Sequence, residues 1–203
     1  MVTIPTQSTS DTSVGQRGGV PKFTYKSGEY YGPAYSGGKA LGGTVSGTGL
    51  GRIVPFFAQA TASFDRIAIY NTGASSTTCR LGIYEDNGGT PNGGALLDGG
   101  AELTLSGSAG DNAETISVTL KQGKIYWLYL LVTASFAHEN CLVGEGDAYW
   151  SSLVSDDLLG LAAAVGDKGF ATTASYGALP DPFSHTVAGW ETGGSPYIRL
   201  RAT

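Results

Sequence analysis

Three kinds of site chemistry are open to the reactive residues of this 203-residue chain. Hydrolysis of a glycosidic bond needs two carboxylates facing each other across a cleft, about 5–9.5 Å apart. Glu139, Glu145, Asp147, Asp156, Asp157, Asp181 and Glu191 are the candidate acids. No spacing singles out a pair among them, so solvated surface positions are the plainer reading. A zinc site would draw on His138 and His185, the only 2 histidines. His138-Glu139 lacks a helical ligand partner four residues on, which leaves both as ordinary polar loop residues. Glu85, Asp86 and Asn87 offer oxygens, but calcium takes about six to eight of them and no spaced Asp series follows. The run reads as a hairpin connection. Neither Gly-x-Ser-x-Gly nor a P-loop occurs, and Cys79 sits on the apolar face of a strand. No catalytic group, metal or cofactor is expected.

The aromatic residues point to binding. Sugar rings present apolar C–H faces that stack on aromatic planes, while carboxylates and amides take the hydroxyls. Tyr149, Trp150, Tyr176 and Trp190 lie among Gly, Ser, Asp and Thr in the weakly patterned C-terminal third. With Asp181, His185 and Glu191 they form the candidate carbohydrate-binding set. The competing reading makes them a satellite core under long loops.

The elements that must position these residues are strands. Glycine supplies 32 residues, and charged residues are only 14%. Gly, Ser and Thr are poor helix formers, while 41% hydrophobic residues suffice for a core. Phe64–Tyr70 alternates, with Phe64, Arg66, Ala68 and Tyr70 on one face and Asp65, Ile67 and Ile69 on the other. Cys79, Leu81 and Ile83 point one way, as do Ile116, Val118 and Leu120. The nearly all-apolar stretch Lys124–Val132 predicts the central buried strand, with Trp127 in the core. Ala95–Leu97 and Ala101–Leu105 predict two short strands, and Ala148–Trp150, Phe170–Thr172 and Tyr197–Leu200 three more. Asp156–Val165 is the single helical candidate. Short strands joined by Gly/Asn/Asp turns, with no repeat, predict an all-β antiparallel sandwich. Roughly eight to ten strands suit a jelly roll better than an immunoglobulin-type domain.

The run Arg80-Leu81-Gly82-Ile83-Tyr84-Glu85-Asp86-Asn87-Gly88-Gly89-Thr90-Pro91-Asn92-Gly93-Gly94-Ala95-Leu96-Leu97 is more specific. With Phe64-Asp65-Arg66-Ile67 before it and Gly123-Lys124-Ile125-Tyr126-Trp127-Leu128 after it, it resembles jelly-roll modules of tailed-phage virion proteins. Such modules occur in minor tail proteins, tail or head fibres and gene-transfer-agent spikes. The resemblance covers residues 51–132. It implies a virion-surface adhesin, often a homotrimer, whose jelly roll touches host-surface polysaccharide.

Domain organisation follows from composition and charge. Residues 1–50 read as an extended Gly/Ser/Thr-rich arm for anchoring and oligomerisation, and 51–203 as the jelly-roll domain. Residues 1–60 carry 5 basic and 2 acidic residues (+3), and 61–203 carry 7 and 15 (−8), which together return −5. Twelve basic residues without a run exclude a nucleic-acid backbone partner. No apolar stretch approaches the ~18 residues of a membrane helix. Met1–Val20 lacks a signal-peptide pattern, so the expectation is synthesis in a host cytoplasm and residence on the virion surface. The expected partners are host polysaccharide and other virion proteins held through the arm. The arm cannot bury its own Val, Phe and Tyr side chains, which favours a homotrimer. Two other roles stay open: a structural protein decorating a capsid or tail without host contact, and a polysaccharide depolymerase.

Overall fold

The computed structural model describes residues 23–33, 39–45, 50–73, 77–141, 169–190 and 195–203. In chain order the strands are β1 (Tyr30–Tyr31), β2 (Lys39–Val45), β3 (Leu50–Phe57), β4 (Ala62–Asn71), β5 (Thr78–Glu85), β6 (Leu96–Thr104), β7 (Gly110–Leu120), β8 (Ile125–Val132), β9 (Phe136–Cys141), β10 (Phe170–Thr173), β11 (Thr186–Trp190) and β12 (Arg199–Ala202). The chain is an antiparallel β-sandwich, with no helix among the described residues. The helical candidate Asp156–Val165 and the strand candidate Ala148–Trp150 lie outside them. No described helix is long and apolar enough to cross a membrane.

One sheet runs β1-β12-β4-β9-β2, with β7 also paired to β4; the other runs β11-β10-β3-β8-β5-β6. The apolar run of β8 lies in the interior of the second sheet, between β3 and β5. Strand alternation sends Tyr126, Leu128, Leu130 and Val132 into the core between the sheets, beside Cys79, Leu81 and Ile83 of β5. Trp127, Tyr129 and Leu131 face the opposite way, into a second apolar cluster. Each fully buried Leu, Ile or Phe contributes about 1.5–3 kcal/mol.

β4 departs from strict alternation. Its register shifts between Phe64 and Arg66 against β7, and again opposite Arg201–Ala202 of β12. The irregularity puts Phe64 in the same core as Ile67 and Ile69. The two short strands expected around residues 95–105 are one strand, β6, whose register against β5 shifts twice.

Residues of the expected arm enter the first sheet. Tyr30 and Tyr31 pair with Arg201 and Leu200 of the same chain. Gly28 N donates to the Ala202 carbonyl (2.8 Å), and Ala202 N to the Glu29 carbonyl (3.1 Å). β2 pairs with β9.

The second cluster is covered by the strap 174–185. Phe183 of the strap packs edge-on to Tyr84 and Tyr129, at centroid distances of 5.0 and 5.2 Å. Its backbone exchanges two hydrogen bonds with the 85–94 turn: Phe183 N to Gly94 O and Gly93 N to Phe183 O, both 2.9 Å. Tyr84 donates its hydroxyl to the Pro180 carbonyl at 2.9 Å.

Candidate functional site: an aromatic cleft

Three members of the sequence-predicted set sit on the strap, and each is engaged with a different partner. The Asp181 carboxylate accepts from Leu96 N at 3.0 Å. Tyr176 donates to Glu102 at 3.2 Å, under the Arg80 guanidinium 5.5 Å from its ring. His185 Nδ1 lies 2.7 Å from the Tyr129 hydroxyl, which also reaches Thr172 Oγ1 at 2.9 Å. Burial lowers the His185 pKa and pushes the Tyr129 phenol up to about 12, so both are neutral at pH 7. These three side chains hold the strap to the second sheet. Trp190 ends β11, its backbone opposite Phe170. Tyr149, Trp150 and Glu191 lie outside the described residues.

The acids weighed for hydrolysis do not meet among the described residues. Glu139 is buried on β9, whereas Asp181 is on the strap. Glu145, Asp147, Asp156, Asp157 and Glu191 are outside the described part. No group of three or more His, Cys, Asp or Glu is placed to hold a metal among the described residues. In the 85–94 turn, one Asp86 oxygen accepts from the buried Trp127 indole N–H at 2.8 Å and the other from Gly89 N at 2.9 Å. Asp86 therefore ties the turn to the sheet. Cys79 is buried and free, its thiol pushed up to about 12 by burial.

The concave aromatic surface forms at the other end of the chain. Phe23, Tyr25, Tyr30, Tyr31, Phe57 and Tyr197 line an open cleft of about 260 Å³ with Gly32, Pro33 and Gln59. Residues 23–33 contain no apolar alternation that could make a strand unaided. Besides the pairing of β1 with β12, they are fixed through rings. Tyr25 packs edge-on to Phe64 of the core (5.2 Å), to Tyr31 (4.7 Å) and to Phe23 (4.9 Å). Two phenols act as backbone acceptors: Tyr25 from Gln59 N at 3.0 Å and Tyr31 from Lys26 N at 2.7 Å. Burial raises the Tyr25 pKa.

The opposite wall comes from Tyr197, far off in sequence. A Cβ on Gly32 would run into the Tyr197 ring, so a side chain at 32 would push Tyr197 out of place. Arg199 braces both walls from behind. Its guanidinium carbon lies 5.4 Å from the Tyr30 centroid and 6.0 Å from that of Tyr197, and it is ion-paired with Asp111. Phe23, 39% exposed, is the one large hydrophobic side chain left open among the described residues.

This cleft can stack a flat apolar face and hydrogen-bond around its rim. Sequence reasoning missed it because its walls join residues 23–33 to Tyr197. The available signal was four aromatics at 23, 25, 30 and 31, in a segment with little else apolar. Compared with models of known protein families and with curated proteins, the chain matches none.

Proposed function

We propose that this chain is a non-enzymatic carbohydrate-binding protein: a jelly-roll sandwich on a phage or gene-transfer-agent virion that attaches to host-surface polysaccharide. The observation that carries the binding role is the open cleft walled by Tyr25, Tyr30, Tyr31, Tyr197, Phe23 and Phe57. Aromatic faces with a few placed polar groups suit a saccharide. The described lining brings no carboxylate pair, which favours holding a glycan over cleaving it. The virion setting is supported by the resemblance over residues 51–132. In this reading the chain works as a homotrimer, with the residues ahead of the cleft joined to other virion proteins.

A glycan array probed with the full chain, together with whole-cell adsorption, tests the proposal. Saturable binding to a surface polysaccharide is the expected result. Particles that lack the protein yet adsorb normally, while losing physical stability, would make it a structural decoration protein instead. Release of reducing ends from a bound polysaccharide would make it a depolymerase.

A further inference from the structure

We infer that the aromatic cleft selects an uncharged, hydroxyl-rich glycan over an anionic one, with Gly32 setting the width that admits it. This rests on the carbohydrate-binding reading above and narrows its ligand.

Among the described residues, the polar groups lining the cleft are neutral and of mixed donor and acceptor character. Tyr25 and Tyr31 each accept one backbone N–H, which leaves their own protons free to donate outward. The Tyr30 and Tyr197 hydroxyls and the Gln59 side-chain amide have no hydrogen-bond partner among the described residues. A sugar hydroxyl both donates and accepts, so it can satisfy all of these. A prolyl peptide, the other natural occupant of an aromatic groove, offers carbonyl acceptors alone at its prolines. It would leave the Gln59 carbonyl unmatched.

Among the described residues, the arginines beside the cleft are committed within the chain. Arg199 is paired with Asp111. Arg201 makes two bonds to Asp65, at 2.8 and 2.7 Å. Lys26 faces Glu29 at 3.4 Å, with both side chains largely exposed. A carboxylated or phosphorylated glycan would set its charge against ring faces, whose quadrupole is negative. Among the described residues, the arginines beside the cleft could answer that charge only by loosening their bonds to Asp111 and Asp65. A neutral pyranose incurs neither cost. Gly32 enters because its missing side chain is what lets the Tyr197 ring close up to the backbone beside β1. A methyl there forces the Tyr197 ring out of its place in the cleft wall.

The test is titration calorimetry of the full chain against neutral polysaccharides (dextran, mannan, a mixed-linkage β-glucan), anionic ones (polysialic acid, hyaluronate, teichoic acid) and a decaproline peptide. At least one neutral glycan should bind, with affinity changing less than about twofold between roughly 50 and 500 mM NaCl. Phe23→Ala removes an exposed ring and should weaken that binding about fivefold or more. Gly32→Ala should weaken it further, with an unchanged circular-dichroism spectrum. Binding confined to anionic glycans, or lost in salt, overturns the inference and leaves the adhesin reading intact. So does neutral-glycan binding untouched by Phe23→Ala, which would place the site elsewhere. Decaproline binding without glycan binding, or no binding by any probe, overturns both.

Discussion

Replacing His138 by asparagine should remove a defined part of this protein's acid sensitivity. His138 is fully buried on β9, with Nδ1 2.8 Å from the Glu139 carbonyl and its ring 5.4 Å from Phe136. Burial lowers its pKa from 6.5 to about 4; the Glu139 carbonyl opposes the shift and the Arg52 charge adds to it. The folded pKa lies below the unfolded one, so the unfolded chain takes up the proton first as pH falls. Stability is then unaffected above about pH 7, declines from about 6.5 down through 4, and levels off below that. The loss works out at about 1 kcal/mol at pH 6, about 2 at pH 5 and about 3 at pH 4. Urea unfolding of wild type and His138→Asn, each measured from pH 7.5 to pH 4, isolates it. The carboxylates and His185 titrate in both proteins and cancel in the difference. Wild type should lose its advantage over the variant by about 3 kcal/mol across that range, about 1–3 M in urea midpoint. A difference that stays flat within about 0.5 kcal/mol would refute the reasoning, because His138 would then titrate alike folded and unfolded.

Two other expectations concern the strap and the turn. Phe183→Ala should cost about 3–5 kcal/mol and raise dye binding by uncovering Tyr84 and Tyr129; a cost below about 1 kcal/mol would mean that the strap does not seal the second cluster. Asp86→Ala strands the buried Trp127 indole N–H and should cost about 1–3 kcal/mol in urea unfolding. A chelator should leave the wild-type melting temperature unchanged, and a fall in chelator would restore a calcium role to the turn.

What could be read from the sequence was whatever local periodicity encodes. Lys124–Val132 was legible as the buried strand because its apolar residues run without a break, and Cys79, Leu81 and Ile83 because they alternate. Phe64 was assigned to the face opposite Ile67, since a bulge leaves no mark in a hydrophobic pattern. β2 was missed because Lys-Ala-Leu-Gly-Gly-Thr-Val looks like linker; its strand identity comes from pairing with β9. The sequence left open whether Tyr176, Asp181 and His185 bind ligand or cover a core, and their partners are all on the second sheet. The cleft was illegible for a different reason. Tyr31 and Tyr197 become neighbours only when β1 pairs with β12, and contact across such a separation is a property of topology.

Residues 23–33 are also the route by which anything attached on the N-terminal side of Phe23 pulls on the sandwich. A load on that side reaches the Gly28–Ala202 and Ala202–Glu29 hydrogen bonds and the Tyr25 and Tyr31 phenol bonds before it reaches the sheets. Those same bonds hold one wall of the cleft. On the proposed glycan-binding reading, tension and grip therefore share one set of fastenings, and pulling harder opens the hand. The expected behaviour is a slip bond, with attachment lifetime shortening steadily as force rises. Optical-trap measurements on ligand-bound protein tethered at its N-terminus would show it, and lifetimes that lengthen with force would contradict it.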